Sequence, residues 1–173
     1  KNELRNRVRK NVVGRLDEID LEKRRLFTLT APTGVGKTLT ALDFALQLRE
    51  KVPALRRGQI IYALPFINII EQSLGVYQDV FAGTNTKVLA HYQYADILGA
   101  GKINHDFDGG EPEYHQKAMA LDTWQGDVVI TSFVQLLHTL IGSRNKLLKK
   151  FNHFADSILI LDEVQTLRLD LLP

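Results

Sequence analysis

At 173 residues the chain is the size of one domain, long enough to bury roughly 70 % of the surface that its unfolded form exposes. Hydrophobic residues at 45 % and charged residues at 24 % exclude a disordered or fibrous class, and the longest apolar run, residues 60 to 70, is broken by Pro65 and Asn68 and falls short of the roughly 20 residues that span a bilayer. A net charge of +2 says nothing by itself about partners.

Its distribution says more. Residues 1 to 25 carry nine Lys or Arg against five acids, a pattern that fits a solvated helix face or a contact with nucleic acid or a partner. The opening KNELRNRVRK has neither an initiator Met nor the apolar stretch of a signal peptide, and no Cys is present to build a disulfide framework. The expectation is a cytoplasmic fragment with no membrane contact.

Along the chain, short β-rich runs alternate with helical stretches. The runs are LFTLT (26–30), IIYAL (60–64), TKVLA (86–90), DVVIT (127–131) and SILIL (157–161). The runs are continuous rather than alternating, as expected of strands covered by helices on both faces. Between them, helical spacing links Leu39, Leu42, Ala45 and Leu46, then Phe66, Ile69, Ile70 and Leu74, then Val134, Leu137, Leu140 and Ile141. Residues 91 to 126 are polar and Gly-rich before a predicted helix at 113–122, and read as a long connection. The βα rhythm predicts an α/β fold, a mostly parallel central sheet with helices on both faces.

The octapeptide APTGVGKT (31–38) lies between a predicted strand and a predicted helix, the context a phosphate-binding loop needs. Thr33, Gly34, Val35 and Gly36 form the wrap, with the two glycines letting the backbone approach phosphate oxygens. Lys37 is placed to neutralise the β and γ phosphates of ATP, and Thr38 to set its hydroxyl on Mg2+. Ala31 occupies the position where the strict loop pattern has Gly.

A magnesium-bound nucleotide also needs an outer carboxylate. The run ending in Leu161 delivers Asp162 to the carboxyl edge of a sheet, where ligands of open α/β folds gather, and Glu163 follows directly. Asp162 would hold Mg2+, directly or through water, and Glu163 would orient and polarise the attacking water. With Lys37, these two are the expected catalytic residues.

In order, APTGVGKT, IIYALPFINIIEQ, DVVITSFVQLLHTL and ILILDEVQTL resemble motifs I, Ia, Ic and II of superfamily-2 helicases. NELR at 2–5, LPFINIIEQ at 64–72, DTWQGDVVITSFVQLLHTL at 122–140 and LILDEVQTL at 159–167 narrow the resemblance to the helicase-nuclease family of type I CRISPR systems. It covers nearly the whole chain. It implies a P-loop ATPase of RecA-like fold, with residues 1–173 as the first lobe. A second lobe would follow, and a separate metal-dependent nuclease domain and a guide-RNA surveillance complex would be partners. It further implies that single-stranded DNA runs over Pro65, Phe66 and Asn68 in one segment and Thr131, Ser132 and Gln135 in another, with Asn2 and Arg5 approaching the adenine edge. The alternatives are another P-loop ATPase or kinase, for which no lid or acceptor pattern is visible, and a non-catalytic nucleic-acid-binding module, which would not need Lys37, Thr38, Asp162 and Glu163 together.

Overall fold

The computed structural model describes residues 2–91, 124–141 and 150–166. The helix predicted at 113–122 and most of the connection around it lie outside these residues. The chain divides into two compact units, Lys1–Gly58 and Gln59–Pro173.

In the first unit, helix α1 (Asn2–Gly14) buries none of its residues and is joined to helix α2 (Lys37–Lys51) by an ion pair of Arg9 with Asp43 at 2.7 Å. Arg15 pairs with Glu18 at 2.9 Å and Lys23 with Asp20 at 3.0 Å. Three of the basic residues near the start are thus matched locally on the surface, where such pairs contribute at most about 1 kcal/mol. Helix α2 stops at Val52, which turns extended ahead of Pro53, because the ring of a proline disfavours helical backbone in the residue before it. Its buried positions are Thr40, Leu42, Ala45 and Leu48. Leu39, expected on that face, is exposed, and Thr40 takes its place.

The predicted first strand is not formed among the described residues. Residues 26–30 join no ladder among the described residues, and Leu26 is 82 % exposed. The run has strand composition, but a strand exists only where a neighbouring backbone completes its hydrogen bonds. Phe27 instead sets its ring edge-on against Phe44 of α2, with centroids 5.2 Å apart.

The second unit is built on a parallel sheet of β1 (Ile60–Leu64), β2 (Val88–His91), β3 (Val128–Ser132) and β4 (Ile158–Leu161), in the order β2-β3-β1-β4. Every ladder is parallel. Strands β1 and β3 are buried at every position, the property that their continuous apolar runs announced. Side chains alternate between the faces of a strand, and the core follows that alternation. Ile61, Ala63 and Val129 pack with Phe133 and Leu136 of helix α4 (Phe133–Ile141), whereas Tyr62 meets Tyr77 of helix α3 (Ile67–Val80) on the opposite face. Helices therefore cover both sides of the sheet.

Helix α4 lies with Phe133, Leu136 and Thr139 inward, and the face predicted from Val134, Leu137, Leu140 and Ile141 is turned outward. Val134, Leu140 and Ile141 are exposed. Thr139 is tolerated inside because its hydroxyl donates to the Gln135 carbonyl at 2.8 Å. Trp124 is fully buried and seals the end of the core cluster, with its carbonyl and that of Gly126 each accepting from Gln59 Nε2 at 2.6 Å. Beside it, buried Lys150 lies 3.1 Å from His91 Nε2 and 5.6 Å from the Trp124 ring centroid.

Candidate functional site

The glycine loop at 31–38 leads directly into helix α2. Gly34 and Gly36 adopt φ of +79° and +84°, a left-handed backbone that costs L side chains roughly 1–2 kcal/mol per residue. Gly36 is also the N-cap of α2 and supplies no side-chain hydrogen bond to the helix start. The first-turn N–H groups thus lie at an end that attracts anions. A Cβ added at Gly34 would meet nothing within 4 Å, so its loop face is open. Val35 turns inward as a buried anchor, Thr33 and Gly34 face out, and Lys37 and Thr38 are half-buried on the first turn of α2.

Sequence reasoning missed one participant in this loop. Arg5, expected near the adenine edge, donates from Nε to the Gly34 carbonyl at 3.2 Å, and its methylenes lie 3.7 and 3.8 Å from where a Gly36 side chain would begin. No spacing rule links residue 5 to residue 34.

In the second unit the carboxyl edge of the sheet collects the other expected residues. Leu64 pairs with Ser132, and Ala63 pairs with both Thr131 and Leu161. The segments after β1, β3 and β4 therefore leave the sheet at adjacent positions. Asp162 is held by three contacts: its N–H donates to the Ala63 carbonyl at 3.1 Å, one carboxylate oxygen accepts from the Glu163 N–H at 2.9 Å, and the other accepts from the Tyr62 hydroxyl. Glu163 sits in left-handed backbone at φ +55°, an uncommon conformation for a residue with a side chain. It is stabilised there by Thr166, whose N–H and hydroxyl both donate to the Glu163 carbonyl at 2.9 and 2.7 Å. Its carboxylate accepts from Gln165 Nε2.

The six residues expected to meet nucleic acid divide by exposure. Phe66, the N-cap of α3 in extended backbone, is 57 % exposed and so is not a core residue. Asn68 is exposed, and Pro65 and Gln135 are half-buried. Thr131 is fully buried, and its hydroxyl donates to the His91 carbonyl at 2.7 Å. Ser132 accepts from the Gln135 N–H at 3.1 Å and caps α4.

Tyr62 is the other contributor that sequence reasoning passed over. Only the parallel register of β1 and β4 brings it to Asp162, 100 residues away. Tyr77 packs on its ring at 5.2 Å, and the Tyr77 hydroxyl is buried with no hydrogen-bond partner among the described residues. Burial pushes the Tyr77 phenol up, and the negative charge of Asp162 adds to the shift.

A glycine loop opening a helix, and an acidic pair at the carboxyl end of a parallel strand, are the two nucleotide-handling elements of helicase-type ATPases of RecA-like fold. Residues 11–170 match the DEAD/DEAH box helicase family, and the chain belongs to it. It is also similar to the CRISPR-associated nuclease/helicase Cas3 of Haloferax volcanii, at 31 % identity over an alignment of 178 residues that takes in 96 % of this chain and 19 % of that protein.

Proposed function

We propose that the chain is the ATP-binding first lobe, residues 1–173, of a cytoplasmic helicase that moves on single-stranded DNA and unwinds target DNA for degradation in type I CRISPR interference. The second lobe, the guide-RNA surveillance complex and the metal-dependent nuclease belong to that reading as partners. The observation that carries it is the sharing of one carboxyl sheet edge by the segments after β1, β3 and β4, which puts the exposed Phe66 and Asn68 in the same unit and at the same edge as the acidic pair.

Within this reading, Thr33 to Thr38 cradle the ATP phosphates. The open left-handed loop and uncapped helix start suit an anion, and Lys37 supplies the compensating charge. Thr38 and Asp162 offer hard oxygen donors of the kind Mg2+ takes; the carboxylate of Asp162 accepts two hydrogen bonds and keeps lone pairs beyond them, since an ionised carboxylate has about four acceptor sites. Bound Mg2+ would neutralise charge on the β and γ phosphates. Glu163, fixed by Gln165 and Thr166, orients a water and takes its proton. Phe66 and Asn68 meet the tracking strand directly, with Pro65 and Gln135 beside them. Ser132 serves that track by capping the start of α4, whose N-terminus faces phosphate, while buried Thr131 ties the end of β3 to β2.

The transition-state charge on a γ phosphate is commonly met by an arginine finger worth roughly 10³ to 10⁵ in rate, which this reading assigns to the second lobe. Phosphate release from these 173 residues is expected to be very slow and barely stimulated by single-stranded DNA, and fast and DNA-stimulated in a longer chain that includes the second lobe. Strong DNA-stimulated turnover by the 173 residues alone would overturn the half-site reading.

A further inference from the structure

The Tyr62 side chain is fully buried on β1, next to β4 in the sheet, and its hydroxyl donates to Oδ2 of Asp162. Two of the carboxylate's hydrogen bonds come from fixed groups on different elements, the Glu163 N–H on one oxygen and the Tyr62 hydroxyl on the other. Two such bonds on opposite oxygens set both the position and the rotation of the carboxylate plane. The phenol has little freedom of its own. Its backbone pairs with both neighbouring strands, opposite Ile130 and Ile160, and its ring is backed by Tyr77.

We propose that Tyr62 is a positioning residue for magnesium in the ATPase cycle: it aims the Asp162 carboxylate so that the lone pairs left over point toward the metal. The inference rests on the assignment of Asp162 to Mg2+ made above. Side chains that hydrogen-bond a metal's ligands influence affinity about as strongly as this arrangement requires, since removing one typically costs about 10- to 100-fold in metal binding. In this role Tyr62 acts through the Asp162 carboxylate, so its effect falls on the metal.

The test uses Mn2+, which shares magnesium's preference for oxygen ligands and is visible by electron paramagnetic resonance, titrated into the full chain in the presence of saturating ADP. Tyr62→Phe should weaken Mn2+ binding by about 10- to 100-fold while leaving the affinity for ADP in excess chelator unchanged, a split that a general loss of stability would not produce. Tyr77→Phe removes a hydroxyl from the same face without touching the carboxylate and should bind Mn2+ as the parent does. Asp162→Asn should weaken Mn2+ binding at least as much as Tyr62→Phe. If Asp162→Asn weakens the metal and Tyr62→Phe does not, the positioning role is wrong and the Asp162 assignment stands. If Asp162→Asn binds Mn2+ normally, the metal assignment fails and Tyr62 has nothing to position. Should Tyr62→Phe fail to fold, 3-fluorotyrosine at position 62 keeps the hydroxyl and reports through its ¹⁹F resonance. That resonance should move when Mg2+ joins ADP in the parent chain and stay fixed in Asp162→Asn; a resonance unmoved in both overturns the inference.

Discussion

Arg5 ties helix α1 to the phosphate loop, with its Nε–H on the Gly34 carbonyl at 3.2 Å and its methylenes against Gly36. The bond is solvent-exposed, so its strength is that of a screened surface contact. Yet it restrains a loop whose two left-handed glycines give it unusual freedom. Arg5→Ala is expected to weaken ATP binding by about 0.5–1.5 kcal/mol, with a matching rise in the mobility of residues 33–36 by amide hydrogen exchange. Unchanged affinity together with unchanged exchange would show that the contact does not restrain the loop.

Lys37→Ala should weaken ATP or ADP binding by about 1.5–3 kcal/mol, the contribution of a charge-assisted contact to phosphate. Titration calorimetry on both forms checks it, and equal affinities would remove the phosphate-binding assignment.

Glu163→Gln keeps the shape of the side chain and removes the base. Nucleotide affinity is expected to stay nearly intact, while turnover in a chain that includes the second lobe is abolished. Wild-type turnover by that variant would show that another group orients the water.

Phe66 is exposed at the start of α3, where a large aromatic ring contributes little to the core. Phe66→Ala should leave the unfolding free energy within about 0.5 kcal/mol of the parent and weaken single-stranded DNA binding by about 1–3 kcal/mol through the loss of a ring on which a base stacks. Fluorescence anisotropy at fixed salt measures the second quantity. A large loss of stability with no change in DNA affinity would return Phe66 to a structural role.

Tyr77→Phe deletes a buried hydroxyl that has no hydrogen-bond partner among the described residues. Leaving such a group buried costs about 1–3 kcal/mol, so the variant should be as stable as the parent or more stable by chemical denaturation. A loss of more than about 1 kcal/mol would reveal a bond to that hydroxyl.

The parts of this structure that were legible in the sequence are those written in contiguous residues. IIYAL and VVIT read as buried strands because every position is covered, and the glycines of APTGVGKT and the DE pair are recognisable from spacing alone. What depends on distant partners was not legible. Residues 26–30 have strand composition, but composition does not state whether a neighbouring backbone is present. In α4 the apolar residues Phe133, Val134, Leu136, Leu137, Leu140 and Ile141 are spread around the helix, so two faces satisfy the same period; the choice of Phe133, Leu136 and Thr139 is made by the sheet face of Ile61, Ala63 and Val129. Thr131 looked available beside Ser132, but strand alternation turns its hydroxyl to the His91 carbonyl. Tyr62 and Asp162 are 100 residues apart, and only a parallel register makes them neighbours.

The strand order also bears on how the chain acquires its structure. Ile60 pairs with Val128 and Ile158, so β1 leaves the ribosome long before either of the strands that will flank it. Pairings this distant in sequence make folding slow, because loop-closure entropy is lost before the contacts reward it. Throughout that interval IIYAL is an apolar segment with both backbone edges open, a substrate for chaperones or for association with another nascent copy. Synthesis at lower temperature or with chaperone co-expression should therefore raise the soluble yield more than any change to the finished surface.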